Sequence, residues 1–229
     1  WQDTEQKWFA EPAGVIVAEP TMLDVVVAHK GVTRFLVDVT GKACHSSQPK
    51  LGQNAIYRMA HIISVLEDYA LNIVGTLNEH PLVSNPTLSV GMIGGGISIN
   101  TVPDYCSIEV GRRVSPGESP DAAFDHIETH VRQALSGEEW VDDITFHKPT
   151  ISKSGLNDDT NGEFAEYLSG VVQSAGHSGQ RIGVPYGTDG QAFYRAGVPT
   201  VVFGPGSIDQ AHTKDEWIEL QQLTAAAEL

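Results

Sequence analysis

Two side chains stand where metal chemistry is usually found in α/β proteins. Glu19 follows the apolar run GVIVA at 14–18, which is bounded by Pro12 and Pro20. A continuous apolar run of this kind suits a parallel strand covered on both faces. In open parallel sheets the chemistry sits at the carboxyl ends of strands. His212 follows VPTVVFGPGSIDQ, a strand and then a glycine-rich loop. Carboxylate and imidazole are both standard zinc ligands. Taken singly each signal is weak, because a strand-end Glu is more often plain surface and most of the nine histidines are expected at the surface or as satisfied core residues.

Other positions offer binding chemistry. In Gly204-Pro205-Gly206 the glycines let a ligand approach the backbone, although a plain turn uses the same residues. The segment Tyr186-Gly187-Thr188-Asp189-Gly190 precedes a short helix, so its amides face an anion or Thr188 or Asp189 caps the helix. Gly94-Gly95-Gly96 is followed by no Lys-Ser or Lys-Thr and reads as a bend between strands, with Asn100 shortly after it. Arg113 lies on the polar face of a strand, where it either pairs with Glu109 or grips a carboxylate through two hydrogen bonds. His45 lies in Cys44-His45-Ser46-Ser47, but no G-x-S-x-G elbow occurs, which discounts a serine hydrolase.

The elements that must position these residues follow from periodicity. Phe35, Val37 and Val39 alternate with Arg34, Leu36 and Asp38, which predicts a half-buried strand. Ile56, Met59, Ala60, Ile63 and Leu66 recur at helical spacing. Strands are predicted at 87–93 and 106–114, the second with Cys106, Ile108, Val110, Arg112 and Val114 on one face. Ser119 as N-cap, Pro120 as first residue and Gly137 as stop mark a second helix, lined by Phe124, Ile127, Val131 and Leu135. A strand at 143–147 completes strand–helix–strand–strand–helix–strand, the split βαβ or ferredoxin-like order. After Lys153 a helix through 164–172 and strands at 181–184 and 198–203 restore an α/β style. The fold class is therefore α/β, a parallel-type domain formed by 1–28 and 150–229 with an α+β unit inserted at 29–149.

Composition narrows the partners. With 14 Lys and Arg against 29 Asp and Glu, the net charge of −15 argues against nucleic acid and against anionic membrane surfaces. No apolar run approaches the roughly 20 residues that cross a bilayer, and WQDTEQKWF has no signal-peptide pattern. Cys44 and Cys106 belong to no CxxC pattern and read as reduced thiols of a cytoplasmic protein.

Taken together, VAEPTMLDVVVAHKGVTRF, GKACHSSQPKLGQNAI, LSVGMIGGGISINTVPDYCSIEVGRRVSPGES and GVPTVVFGPGSIDQAHTKDEWI resemble the acetylornithine deacetylase, succinyl-diaminopimelate desuccinylase and carboxypeptidase G family of two-metal hydrolases. The stretches AEPT, HSS and GQNAI look most like the acetylornithine deacetylases, and TDGQAF leans toward the desuccinylases. The resemblance implies two Zn2+ ions, with Co2+ as a substitute, one held by Glu19 and the other by His212. It implies that 29–149 is a lid that forms a homodimer. His45 and Asn100 then contact the scissile carbonyl or the substrate, in several members from the partner subunit, and Arg113 binds the substrate carboxylate. Thr188 and Gly204–Gly206 become substrate-side backbone. The expected reaction is hydrolysis of an amide bond in an N-acyl amino acid or small peptide. The family also uses a His-x-Asp segment and a Glu-Glu pair before the position of Glu19, and Asp3, Glu5 and Glu11 have no such context. The chain is thus expected to begin after the segment that supplies the bridging Asp and the general base, and to be inactive alone. The alternative is a non-catalytic dimerising or binding fragment that keeps the fold.

Overall fold

A computed structural model of the chain describes residues 12–229, so Asp3, Glu5 and Glu11 lie outside the described residues. Two units are present: residues through His29 together with Leu156–Leu229, and Lys30–Gly155.

The first unit opens with β1 (Val15–Val17) and β2 (Val25–His29). Every residue of β2 is buried, as expected of a strand packed on both faces.

The second unit runs β3 (Gly31–Thr40), β4 (Cys44–His45), α1 (Ala55–Asp68), β5 (Thr87–Gly95), β6 (Thr101–Val102), β7 (Tyr105–Val114), α2 (Pro120–Ala134), β8 (Ile144–Phe146) and β9 (Ile151–Lys153). Its main sheet has the order β5-β7-β3-β8, with β9 also paired to β3. These pairings are antiparallel, and the order is that of a split βαβ. Phe35, Val37 and Val39 of β3 and Ile108 and Val110 of β7 form one core with Met59, Ile62 and Leu66 of α1 and Phe124, Ile127 and Val131 of α2. Both helices therefore cover one sheet face, and burying each such side chain is worth about 1.5–3 kcal/mol.

The structure departs from expectation in three places here. Ile62, not Ile63, is fully buried on α1, while Ile56 is partly exposed and Ala60 is exposed. Apolar residues at 55, 56, 59, 60, 62, 63 and 66 fit two overlapping stripes, and packing selects the one through Ala55, Met59, Ile62 and Leu66. Helix α2 is capped by Ser119, whose hydroxyl accepts from the Ala122 N–H, but it ends at Ala134 rather than at Gly137. The unit also extends past 149, because β9 pairs with β3 between Val32 and Arg34.

The chain then returns to the first unit through α3 (Gly162–Ser174), β10 (Arg181–Val184), α4 (Gly190–Arg195), β11 (Thr200–Val202) and α5 (Leu220–Glu228). The sheet order is β1-β11-β2-β10. Strands β1 and β11 are parallel, as are β10 and β2. Strand β2, however, meets β11 antiparallel, at Val202 and Val26. The sheet is mixed, which corrects the parallel-type expectation. Only Ala18–Asp24 join β1 to β2, and a parallel crossover needs roughly a dozen residues or more. Val25 and Val27 pack with Ala165, Leu168 and Val172 of α3, and Val26 packs on the other side with Leu156, Val184 and Val202.

Candidate functional site

In the first unit, Glu19 lies two residues beyond the end of β1. A Cβ on Gly204 would come within 2.7 Å of the Glu19 carbonyl oxygen, so only glycine lets the two backbones meet. Thr21 secures the junction: its hydroxyl accepts from the Gly204 N–H at 3.1 Å. Gly206 has φ +87, and its N–H donates to Gln222 Oε1 at 2.7 Å. The N–H groups of Gly204 and Gly206 are thus engaged within the chain. His212 follows on an exposed stretch with φ 60, a left-handed conformation that few non-glycine residues adopt. Pro20, which adjoins Glu19, and Ala211, which adjoins His212, line one cavity of about 320 Å3 with Gly206 and Trp217. Burial and the neighbouring Glu19 carboxylate push the Tyr186 hydroxyl pKa up.

Thr188 is buried. Its hydroxyl lies 3.0 Å from Nε2 of the buried His29 and accepts from the Gly190 N–H at 3.1 Å, at the start of α4.

The Glu19 and His212 donors suit zinc in kind but not in number, since zinc takes four ligands. Among the described residues, no group of three or more His, Cys, Asp and Glu side chains gathers to hold a metal ion.

In the second unit, β4 pairs with β6, and His45 stands opposite Thr101. The Ser46 N–H donates to the Asn100 carbonyl at 2.9 Å, so His45 and Asn100 come from adjoining, hydrogen-bonded segments. Both side chains are exposed. The Ser47 N–H donates to His45 Nδ1 at 3.1 Å, and the Ser47 hydroxyl lies 2.7 Å from the same nitrogen. Nδ1 is therefore the acceptor, and a neutral His45 carries its proton on Nε2. Residue types alone did not single out Ser47, although a serine two residues from a histidine is a common local hydrogen-bonding arrangement.

Residues 107, 109, 111 and 113 share the sheet face opposite the helices. Arg113 is half-buried there, and no ion pair joins it to Glu109 among the described residues. Burial, and then the nearby Arg34 guanidinium, lower its pKa. Its neighbour Arg112 points into the core and pairs with Glu118 at 2.7 Å.

A β-sheet and two helices of this order, joined to an α/β unit, define a class of two-part α/β proteins. Residues 27–139 match the peptidase dimerisation domain. The chain is 32% identical over 209 residues to an acetylornithine deacetylase from Myxococcus xanthus, covering 91% of this chain and 53% of that protein. It is 33% identical over 215 residues to one from Vibrio parahaemolyticus, with the same two coverages, 91% and 53%. The chain thus spans about half the length of these curated relatives. Among solved structures, a tripeptidase from Staphylococcus aureus aligns with a TM-score of 0.69 at 23% identity, covering 91% of this chain and 52% of that one. An aminopeptidase from Bacillus cereus aligns at 0.71 and 19% identity, covering 93% and 53%. At these identities the two structures speak for the fold alone. The chain belongs to the acetylornithine deacetylase, succinyl-diaminopimelate desuccinylase and carboxypeptidase G family. Within it, the Myxococcus and Vibrio relatives are both named acetylornithine deacetylase.

Proposed function

We propose that these residues form part of a zinc-dependent hydrolase that cleaves the amide bond of an N-acyl amino acid or small peptide. The observation that carries this reading is the relationship, along 91% of the chain, to proteins named acetylornithine deacetylase. Glu19 and His212 would each contribute one ligand, and zinc or cobalt would supply Lewis-acid polarisation of the scissile carbonyl. His45 presents an Nε2–H as donor to the oxygen on which negative charge develops. Asn100, held beside it by the Ser46 hydrogen bond, contacts the substrate. Arg113 holds the free carboxylate, and the backbone near Thr188, Gly204 and Gly206 borders the substrate. Lys30–Gly155 acts as the lid.

The same unit pairs two copies of the chain. Strand β5 lies at the sheet edge. Met92, Ile93, Ile97 and Ile99 are 63%, 60%, 90% and 94% exposed, a concentration of apolar surface that suits an interface. Cys44 and Cys106 are free thiols, which fits a reducing cytoplasm. No helix among the described residues is long and apolar enough to cross a membrane.

Among the described residues two donors leave zinc short of ligands, so turnover would need further ligands and a general base. The test compares amide hydrolysis, with added zinc, by the 229-residue chain and by a longer chain that also carries a His-x-Asp segment and a Glu-Glu pair. Activity only in the longer chain, lost in His212→Ala, is the expected result. Deacylation by the 229 residues alone would overturn the incomplete-site reading. An inactive longer chain that still dimerises would favour a binding module.

A further inference from the structure

Two of the chain's nine histidines share one side of α2, which reads His126-Ile127-Glu128-Thr129-His130 in its middle. Residues four apart on a helix hold their Cβ atoms about 5–6 Å apart. Ile127 and Val131, each one position beyond a histidine, are fully buried, so the pair runs along the margin of the core stripe. His126 is exposed and His130 is half-buried.

Both imidazoles meet one aromatic ring. Tyr69, the residue that follows α1, is fully buried. Its ring centroid lies 5.5 Å from that of His126 and 5.0 Å from that of His130. Its hydroxyl lies 2.7 Å from Nδ1 of His126. Burial pushes the Tyr69 pKa up, so the phenol stays neutral. A phenol oxygen accepts from an Nδ1–H, and that tautomer leaves the Nε2 lone pair to a metal ion. His130 makes no hydrogen bond or ion pair among the described residues, so neither of its ring nitrogens is engaged.

We infer that His126 and His130 chelate one divalent transition ion of the kind that prefers imidazole, Cu2+, Ni2+ or Zn2+, with Tyr69 holding the His126 ring in place. Two histidines four apart on a helix face are spaced to share an ion, at nitrogen–metal distances of about 2.0–2.1 Å for zinc. Water takes the remaining positions, and Cu2+ binds most tightly of the three. Asp125 and Glu128 flank the pair in a protein of net charge −15, a setting that draws cations. Because Tyr69 closes α1 and the histidines belong to α2, a bound ion fixes that end of α1 against α2.

The test reads binding, not turnover. Ni2+ is titrated into the 229-residue protein at about pH 7.5, because ligation needs a deprotonated ring nitrogen. Binding is followed through the imidazole proton resonances, which paramagnetic Ni2+ broadens close to the ion. The resonances of His126 and His130 should broaden together, along one shared binding curve. His130→Gln should raise the Kd read at His126 at least tenfold, and His126→Gln should do the same at His130. Tyr69→Phe keeps the ring but loses the hydroxyl, and should weaken binding roughly tenfold. Mg2+, which takes oxygen ligands, should leave both resonances unchanged. Broadening of the two histidines along separate curves, or of neither, would overturn the inference. So would a Kd at His126 within twofold of native in His130→Gln. The broadening is measured on the native protein, so it decides the question even where a variant fails to fold.

Discussion

The main-chain N–H of Ser47 donates to Nδ1 of His45 at 3.1 Å, which leaves Nε2 as the proton-bearing nitrogen of the neutral ring. A backbone donor cannot switch to accepting, so the tautomer follows from chain geometry rather than from a side-chain choice. Nitrogen-15 spectra of the imidazole should show a protonated Nε2 and an unprotonated Nδ1 at pH 8. Ser47→Ala should preserve that pattern, because it keeps the N–H. In the active whole protein, His45→Ala should lower kcat by roughly 100- to 1,000-fold, the usual loss of one oxyanion donor. A Nδ1–H pattern, or near-normal turnover in His45→Ala, would remove His45 from this role.

Adjacent arginines are expected to fail in different ways. Arg112 is fully buried, its guanidinium bound to the 6%-exposed Glu118, which in turn accepts from the Ser115 N–H at 2.9 Å. Arg112→Ala should cost about 3–5 kcal/mol in urea unfolding, because it strands a buried carboxylate. Arg113→Lys should leave stability nearly unchanged. In the whole protein it should lower kcat/KM for carboxylate substrates by roughly tenfold or more, with little change for an amide-capped one. Equal losses on both substrates would make Arg113 structural.

The contrast between Arg112 and Arg113 also shows how much the sequence reveals. Strict alternation along 106–114 assigned each arginine to its face, and both assignments match the structure. The same rule placed Phe35, Val37 and Val39 inward. It did not find β2, whose VVVAH carries no alternation because both faces are covered. Nor did it find β9, a three-residue strand with neither length nor pattern. At the candidate site, residue types pointed to Glu19, His212, His45 and Arg113. The hydrogen bonds that the Gly204 and Gly206 N–H groups donate to Thr21 and Gln222 join positions 183 and 16 residues apart, and no local spacing encodes them.

Asn161 carries a stability prediction from the same long-range class. It is 1% exposed, and its Nδ2 donates to the Val27 carbonyl at 2.9 Å and to the Thr200 carbonyl at 2.8 Å. It thereby ties β2 to β11, strands that share a single paired position, Val202 with Val26. Asn161→Ala should cost about 2–3 kcal/mol, from two lost hydrogen bonds and two carbonyls left in the core. Asn161→Asp should cost more, since it replaces the donor with a buried negative charge. Denaturant midpoints would check both, and an Asp variant as stable as the native protein would contradict the clamp.

Cys106 offers a prediction in which pH separates two thiols. It is fully buried in the core beneath β3 and β7, and burial pushes its pKa above the ordinary 9.0. Cys44 is only partly buried, with its Sγ 3.4 Å from the Gln48 carbonyl. Reaction needs the exposed thiolate. A disulfide reagent at pH 8 should therefore label Cys44 at least about tenfold faster, and Cys106 only after unfolding. The sign of the linked stability follows. The unfolded thiol loses its proton first as pH rises past 9.0, while the folded one keeps it. The unfolded state then binds fewer protons, so the contribution of Cys106 is complete below 9.0 and is lost above it. Cys106→Val, which cannot ionise, should lose less stability than the native protein between pH 8.5 and about 10.5. Parallel stability curves over that range, or equal labelling of the two thiols in the folded protein, would show that Cys106 is open to solvent.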